Sequence, residues 1–320
     1  MPDSPTSLSD KRLVFLMGSP RSGTTWLQLM LASSQCVATS NETHLFSAYL
    51  VSQFETWQEF EQSTRQIGLN QLMSEAEFLA LNKHFADDVM HRILGKKPNA
   101  SVILEKTPDH VRRWRDILKI YPEAYFLLIV RDPRAVTASM RAASRDWGSR
   151  FAPSSIIENC ARWRWFVEEG RRIKRSTTNV MELRYEDLKK DCTTELRHIF
   201  AWMGLTHLAD ECSQIAERHQ IAYLRSRRLT GTPWDLSEEP DEFYRKGEID
   251  SWKDELTPTQ TYLIEFLTRD LMNFYGYVPA TRRGFFCKLF VVRLILALDC
   301  FRRRLQWLLR RAAGALSPPL

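Results

Sequence analysis

Short apolar runs alternate with longer stretches of helical periodicity along this chain. Four runs have the length and the aliphatic or β-branched character of buried strands: residues 13–17, 100–104, 125–130 and 180–183. Helical patterns cover roughly residues 54–95, 110–120, 133–145, 154–175, 186–203, 208–219 and 257–275, and a further helix begins after Gly23. Strands that alternate with helices are joined by right-handed crossovers, so the pattern predicts an α/β fold with a parallel sheet.

The loops that follow the four predicted strands are the expected place for a ligand. In an open parallel sheet, ligands bind beyond the carboxyl ends of the strands. This rule brings together four segments that are far apart in the sequence: residues 18–25, 105–108, 131–134 and 184–187.

The first of these loops has the character of an anion site. It joins an apolar strand to a helix that starts with two threonines, so backbone N–H groups and the positive end of the helix point to one place. Gly18 and Gly23 keep the glycine spacing of a Walker loop, but Thr24 stands where that loop has its lysine. The cation has moved to Arg21, whose planar fork suits an oxyanion but does not reach along a triphosphate.

The net charge of +6 is unevenly distributed along the chain. Residues 281–320 contain nine Lys and Arg against one acid, so the first 280 residues carry about −2. A basic excess confined to the end of the chain gives no reason to expect nucleic acid binding by the main body. The six cysteines form no C-x-x-C pair, which favours reduced thiols over a zinc site or a disulfide framework.

The basic end of the chain has helical amphipathicity over residues 285–311. Two interpretations remain open: a helix lying on an anionic membrane surface, or a helix packed on the domain or on a partner chain. We find no signal peptide and no uninterrupted apolar stretch of about 18 residues. We therefore expect a cytoplasmic protein, peripheral to the membrane if the first interpretation holds, with residues 1–280 as the main domain and 281–320 as a helical tail.

Four motifs in this order resemble those of the sulfotransferases that use 3′-phosphoadenosine-5′-phosphosulfate (PAPS). "GSPRSGTTW" at residues 18–26 is similar to the family's 5′-phosphosulfate loop, and "LLIVRDPRAVTASM" at 127–140 is similar to its 3′-phosphate segment. "YRKGEIDSWKDELT" at 244–257 resembles the R-K-G-x-x-G-x-W-K segment, with Asp250 in place of the second glycine. "LRYEDL" at 183–188 is a weaker match. The resemblance implies a P-loop-like three-layer fold, a central parallel sheet flanked by helices, followed here by the C-terminal basic amphipathic helical extension.

The resemblance also implies which residues hold the cofactor. Those expected at the 5′-phosphate are Ser22, Gly23, Thr24 and Thr25. Those expected at the 3′-phosphate are Arg131, Ser139, Arg245, Lys246 and Gly247. Trp26 is expected to stack on adenine, and Tyr185 to touch the base. PAPS would leave as adenosine 3′,5′-bisphosphate (PAP). We expect no metal, because the sulfuryl group carries one negative charge and fixed cations can stabilise its transfer.

A general base must take the proton of the acceptor hydroxyl. "SNETHLF" at 40–46 resembles the glutamate segment of tyrosylprotein, Golgi-type and bacterial members of the family, which makes Glu42 the first choice and His44 the second. Lys106, in "LEKTPDH", and Arg21 are expected to stabilise charge on the bridging oxygen and the sulfuryl group. The expected reaction is a single in-line displacement.

The acceptor is not defined by these residues. A glycan or glycolipid hydroxyl is our first expectation, followed by a tyrosyl peptide and a small alcohol. Two rival functions stay open: a P-loop kinase, which would need the missing lysine, and a non-catalytic nucleotide-binding scaffold at a membrane, which would bind PAP without turnover.

Overall fold

A parallel sheet of five strands lies at the centre of the chain. The computed structural model describes residues 8–65, 67–149, 151–226, 232, 240 and 243–280. The strands are Arg12–Gly18 (β1), Val37–Thr39 (β2), Val102–Lys106 (β3), Tyr125–Val130 (β4) and Val180–Arg184 (β5). Their order is β2-β3-β1-β4-β5, and every pair is parallel. This arrangement confirms the predicted α/β class.

Helices fill the connections between the strands and continue after the last one. They are Thr24–Ala32 (α1), Val51–Glu61 (α2), Glu75–Leu94 (α3), Trp114–Ile120 (α4), Pro133–Ala143 (α5), Ile156–Ser176 (α6), Tyr185–Lys190 (α7), Cys192–Trp202 (α8), Cys212–Arg218 (α9), Ile221–Arg225 (α10), Trp252–Glu255 (α11) and Pro258–Phe274 (α12). Short 3₁₀ turns occur at Leu8–Asp10, Leu69–Gln71, Pro108–Arg112 and Thr206–Glu211, and a π-helical turn at Leu45–Tyr49.

Both faces of the sheet are covered by apolar side chains. Val14 and Leu16 of β1 pack in one cluster with residues of α1 and α8, whereas Phe15 and Met17 pack in a second cluster with residues of α3, α4 and α6. Alternate residues of a strand point to opposite faces, so a strand that is buried on both sides reads as a continuous apolar run. The result is the three-layer arrangement that the resemblance implied.

The boundaries of several elements differ from those predicted. The helical pattern at 54–95 is two helices, because the chain turns at Gly68 with φ 96° and a capping box between Ser74 and Glu77 starts α3. The pattern at 186–203 is also two helices, since the side chain of Asp191 caps α8 by accepting from Thr194 N. The strand predicted at 100–104 runs instead from Val102 to Lys106.

The short strand β2 was not predicted. It holds only the sequence "VAT", and it joins the sheet through three residue pairs with β3. The tail at 281–320 lies outside the described residues. Over the residues that are described, no helix is both long enough and apolar enough to cross a membrane.

Candidate functional site

One cleft at the carboxyl ends of the strands contains nearly all of the residues that the motifs selected. We call it the strand-end cleft and define it by its lining: Arg21, Gly23, Thr24, Thr25, Trp26, Arg131, Ala135, Ser139, Tyr185, Ile221, Phe243, Tyr244, Arg245, Lys246, Gly247 and Ser251. Of the eleven predicted cofactor residues, only Ser22 does not line it. The topology therefore gathers segments from the ends of β1, β4 and β5 and from residues 243–251 into one place.

The loop between β1 and α1 has a strained backbone. Arg21 has φ 70° and Gly23 has φ 96°, and both values lie in the left-handed region. A Cβ on Gly23 would stand 2.7 Å from the ring of Tyr185, so both the turn and the close approach require glycine. The hydroxyl of Ser22 is fully buried and has no hydrogen-bond partner among the described residues. The residues that begin α1 line the strand-end cleft, and the first N–H groups of a helix have no partner within the helix.

The guanidinium of Arg21 is directed across the cleft towards α5. Its Nε donates to Ser139 Oγ at 3.0 Å, and its Nη2 donates to Phe243 O at 2.6 Å. It also lies over the rings of Trp147 and Phe243, 5.2 and 5.0 Å from their centroids. Arg21 thus contacts Ser139, a residue of the predicted 3′-phosphate group. Lys106, which was expected to act with Arg21, contacts Glu42 and Thr25.

Arg131 and Tyr185 connect the loop with the R-K-G segment. Arg131 Nη1 donates to Arg21 O at 3.1 Å, and Nη2 donates to Glu248 O at 3.2 Å. Its guanidinium carbon lies 4.0 Å from the centroid of the Tyr185 ring, and the Tyr185 hydroxyl donates to Gly247 O at 2.6 Å. Burial raises the pKa of Tyr185, so its hydroxyl keeps the proton that this bond needs.

Arg245 and Lys246 share a carboxylate that sequence reasoning missed. Arg245 Nη1 lies 2.5 Å from Glu255 Oε2, and Lys246 Nζ lies 3.2 Å from Glu255 Oε1. Glu255 belongs to α11, directly after the motif that supplies both cations. Two adjacent cations and an acid ten residues later were the only signal in the sequence.

Trp26 is buried, and its indole Nε1 donates to His219 O at 2.7 Å. Its ring lies 5.5 Å from that of Tyr185 at an interplanar angle of 59°. The hydrogen bond fixes the orientation of the indole, which still contributes to the wall of the cleft.

The predicted catalytic residues Glu42, His44 and Lys106 meet beside this cleft. Lys106, the last residue of β3, is only 4% exposed, and its Nζ lies 2.6 Å from Glu42 Oε1 and 3.4 Å from Thr25 Oγ1. His44 Nε2 lies 3.5 Å from Glu42 Oε2. Thr25 belongs to both groups, so Lys106 connects the anion loop with the carboxylate. Among the residues described, no three His, Cys, Asp or Glu side chains form a metal-binding group.

A parallel sheet with a glycine turn, a helix N-terminus and fixed cations at its carboxyl edge is an arrangement with which α/β proteins bind phosphorylated ligands. The sequence profile of the Sulfotransferase family matches residues 14–210. The chain belongs to this family, which confirms the resemblance of its motifs.

Two curated relatives share part of the chain. The nodulation protein NoeE of Sinorhizobium fredii is 26% identical over 149 residues, which are 46% of this chain and 34% of that protein. The omega-hydroxy-beta-dihydromenaquinone-9 sulfotransferase Stf3 of Mycobacterium tuberculosis is 30% identical over 152 residues, which are 41% of this chain and 39% of that protein. The chain thus spans little more than a third of the length of these relatives.

Two solved structures share the fold. The sulfotransferase domain of a Synechococcus olefin synthase superposes with a TM-score of 0.55 at 18% identity, covering 86% of this chain and 98% of that domain. Mouse sulfotransferase SULT7A1, solved in complex with PAP, superposes with a TM-score of 0.51 at 17% identity, covering 82% of this chain and 84% of that one. At these identities the similarity concerns the fold.

Proposed function

We propose that the chain transfers the sulfuryl group of PAPS to an acceptor hydroxyl, with Glu42 as the general base. The observation that carries the proposal is the lining of the strand-end cleft, which combines aromatic side chains with two groups of residues suited to anions, one from the loop before α1 and one from Arg131, Ser139 and residues 245–247. A nucleoside with phosphates on both its 5′ and 3′ sides needs two such groups, whereas the phosphates of a nucleoside triphosphate form a single chain.

The residues of the strand-end cleft fit such a ligand at both ends. On the 5′ side, the loop offers the amides that begin α1 and, next to the lining residues, the unpartnered and buried hydroxyl of Ser22. On the 3′ side, Arg131, Ser139, Arg245 and Lys246 line the same wall. The Nε of Arg131 is buried without a hydrogen-bond partner among the described residues, so this guanidinium keeps a donor for an anion. Trp26 lines the same cleft, and in this proposal its ring takes the adenine.

When bound, PAPS would supply the sulfuryl group and leave as PAP. In this proposal Glu42 accepts the proton of the acceptor hydroxyl, and the Lys106 ammonium stabilises negative charge on the oxygen that bridges sulfur and phosphorus. The 2.6 Å contact between Lys106 Nζ and Glu42 Oε1 supports this pairing of roles. His44 is the alternative base, because its Nε2 lies 3.5 Å from Oε2, the other carboxylate oxygen of Glu42.

The role of Arg21 within this proposal follows from its contacts. Through Ser139 it supports the 3′ group, while its own carbonyl oxygen accepts from Arg131. We therefore propose that Arg21 fixes the two anion groups relative to each other, in addition to the charge stabilisation expected from its place in the loop.

For the acceptor we propose a glycan or glycolipid hydroxyl first. A second candidate, a hydroxylated lipid, is favoured by the relative Stf3, whose name specifies an omega-hydroxy menaquinone. A tyrosyl peptide or another small alcohol is the third. A cytoplasmic location and contact of residues 285–311 with an anionic membrane remain part of this proposal, and membrane contact would suit either lipid-linked acceptor.

The test combines calorimetry with transfer of label. Purified protein is titrated with PAP and, separately, with ATP and Mg²⁺. It is then incubated with ³⁵S-labelled PAPS and fractionated glycan, lipid and peptide extracts. We expect tight uptake of PAP, weak uptake of ATP, and label in one fraction. Tight uptake of ATP with indifference to PAP would instead indicate a kinase, and uptake of PAP without labelled product would indicate a scaffold.

A further inference from the structure

A buried carboxylate, Glu105, precedes Lys106 at the end of β3. The two side chains point to opposite faces of the sheet, because residues alternate along a strand. Glu105 is 2% exposed, and it plays no part in the chemistry proposed above. One of its contacts, Thr43, nevertheless belongs to the segment that carries Glu42.

Three side chains surround the Glu105 carboxylate. The hydroxyls of Thr43 and Thr107 donate to Oε1 at 2.8 and 2.7 Å, and His110 Nδ1 lies 2.7 Å from Oε2 in a short contact that does not have the geometry of a hydrogen bond. His110 Nε2 accepts from Phe46 N at 3.1 Å, so the ring proton lies on Nδ1, facing the carboxylate. Burial acts to raise the pKa of Glu105, but His110 and the two hydroxyls lower it to about 2, so the carboxylate is charged at neutral pH.

The same side chains bind three consecutive backbone amides next to Glu42. His44 N donates to Thr107 Oγ1 at 3.3 Å, Leu45 N donates to Thr43 Oγ1 at 3.1 Å, and Phe46 N donates to the imidazole described above. His44 has φ 52°, a left-handed conformation that a residue other than glycine keeps only when its surroundings enforce it.

We propose that Glu105 and His110 are positioning residues for Glu42. Together with Thr43 and Thr107 they tie residues 43–46 to the end of β3, so that the carboxylate of Glu42 is presented to Lys106 on the opposite face of the same strand. This inference rests on the proposed function only for its effect on turnover; the tie itself is a statement about the fold.

Glu105→Gln is the matching substitution, because it keeps the size of the side chain. A carboxamide has one acceptor oxygen, and its NH₂ group must face either the hydroxyls or His110 Nδ1–H. A change of tautomer at His110 would relieve that conflict only by placing a second donor against Phe46 N–H. Glu169→Gln is the control, because Glu169 is also a buried carboxylate. It belongs to α6, and it accepts from Trp114 Nε1 at 2.9 Å.

The first measurement is amide hydrogen exchange in the full chain. In Glu105→Gln we expect exchange at His44, Leu45 and Phe46 to become at least about tenfold faster, with PAP binding unchanged. Glu169→Gln should leave these three amides at the wild-type rate. Thr107→Val should also accelerate exchange at His44, and Thr107→Ser, which keeps the hydroxyl, should restore it. Unchanged exchange at these amides in Glu105→Gln would overturn the inference.

The second measurement is turnover of labelled PAPS with the acceptor fraction that the wild type labels. We expect Glu105→Gln to lower kcat about 10- to 100-fold at an unchanged KM for PAPS, since a displacement of about 1 Å is enough for such a loss. If Glu105 acts through Glu42, adding Glu105→Gln to Glu42→Gln should cause no further loss. A further loss of equal size in the double variant would show a general structural role and overturn the inference.

The two hypotheses fail in different ways. If the wild type transfers no label, the proposed function falls, whereas the exchange rates still report on the tie between residues 43–46 and β3. If the wild type is active and Glu105→Gln leaves both exchange and kcat unchanged, only the positioning role falls.

Discussion

Glu42→Gln is the substitution with the sharpest expected consequence. It removes the group that we propose takes the proton, and it keeps the size of the side chain. A positioned general base contributes typically about 10² to 10⁴ in rate, so kcat should fall by that factor. Glu42 does not line the strand-end cleft, and affinity for PAP should therefore stay within about threefold of the wild type.

The same substitution should also cost some stability, because Lys106 loses its anion. The two charges approach to 2.6 Å, which corresponds to several kcal/mol at an effective dielectric constant of about 20. The Glu42 side chain is 37% exposed, however, and solvent screening together with the hydrogen bond that a carboxamide oxygen still accepts reduces this to about 1–2 kcal/mol. The melting temperature should fall by about 2 to 8 °C.

The assay is transfer of label from PAPS, with a melting curve and a PAP titration on the same preparation. Glu55→Gln is the matched control, since the Glu55 carboxylate pairs with Arg113 at 2.9 Å but is 63% exposed. It should leave turnover and PAP affinity unchanged. A Glu42→Gln protein that retains more than half of the wild-type kcat would refute the assignment of the base. The alternative base would then be tested with His44→Gln.

Three further predictions concern the strand-end cleft and its supports. Arg131→Lys keeps the charge but loses the planar fork, so the Kd for PAP should rise about 10- to 100-fold by calorimetry, and an unchanged Kd would contradict the 3′ assignment. Gly247→Ala places a Cβ at φ 65°, 2.5 Å from Ile221 Cγ1, and should weaken PAP binding about tenfold. Gly95→Ala is the control, because this residue has φ −56° and an added Cβ would have its nearest contact at 3.4 Å, so PAP binding should stay unchanged. Equal PAP affinities of the Gly247→Ala and Gly95→Ala proteins would argue against the close approach at Gly247. The folded-state pKa of Glu105, about 2 against 4.5, should contribute about 3 kcal/mol above pH 4.5 that is lost as the pH falls towards 2. Urea unfolding should therefore show a steeper acid loss in the wild type than in Glu105→Gln, and parallel profiles would exclude this contribution.

The strands that carry the site were predictable because burial on both faces leaves an uninterrupted apolar run. The central strands β1 and β4 were found to within one residue at each end. β2 was missed because three residues are too few for a pattern to distinguish a strand from a loop. β3 was shifted because Glu105 and Lys106 are two adjacent charged residues, which a pattern of apolar residues does not include in a buried strand. The pairing of Phe15 with Glu105 and of Leu16 with Lys106 shows that the strand continues.

The site was predictable where a motif is contiguous and not where partners are distant. Three of the segments that line the strand-end cleft follow strands, and the topology rule for parallel sheets was enough to bring these together. Residues 244–251 directly follow none of the five described strands, and only the resemblance of their motif assigned them to the site. The residues that contact and orient the site side chains from outside the motifs were not predictable in the same way. Glu255 neutralises two cations, and His110 orients a segment 64 residues away, yet nothing in the local sequence distinguishes either from a surface residue. The direction of the Arg21 side chain was also beyond a motif, because it depends on the left-handed turn of its own backbone.

Tyr185 touches both ends of the strand-end cleft. Its ring lies against Gly23, and its hydroxyl is bonded to the carbonyl of Gly247. One rigid aromatic side chain therefore fixes the distance between the loop and the R-K-G segment. A nucleotide whose charged groups are spaced differently from this distance would contact only one of the two ends. We therefore expect the protein to select its ligand by the spacing of its charged groups as well as by their charge.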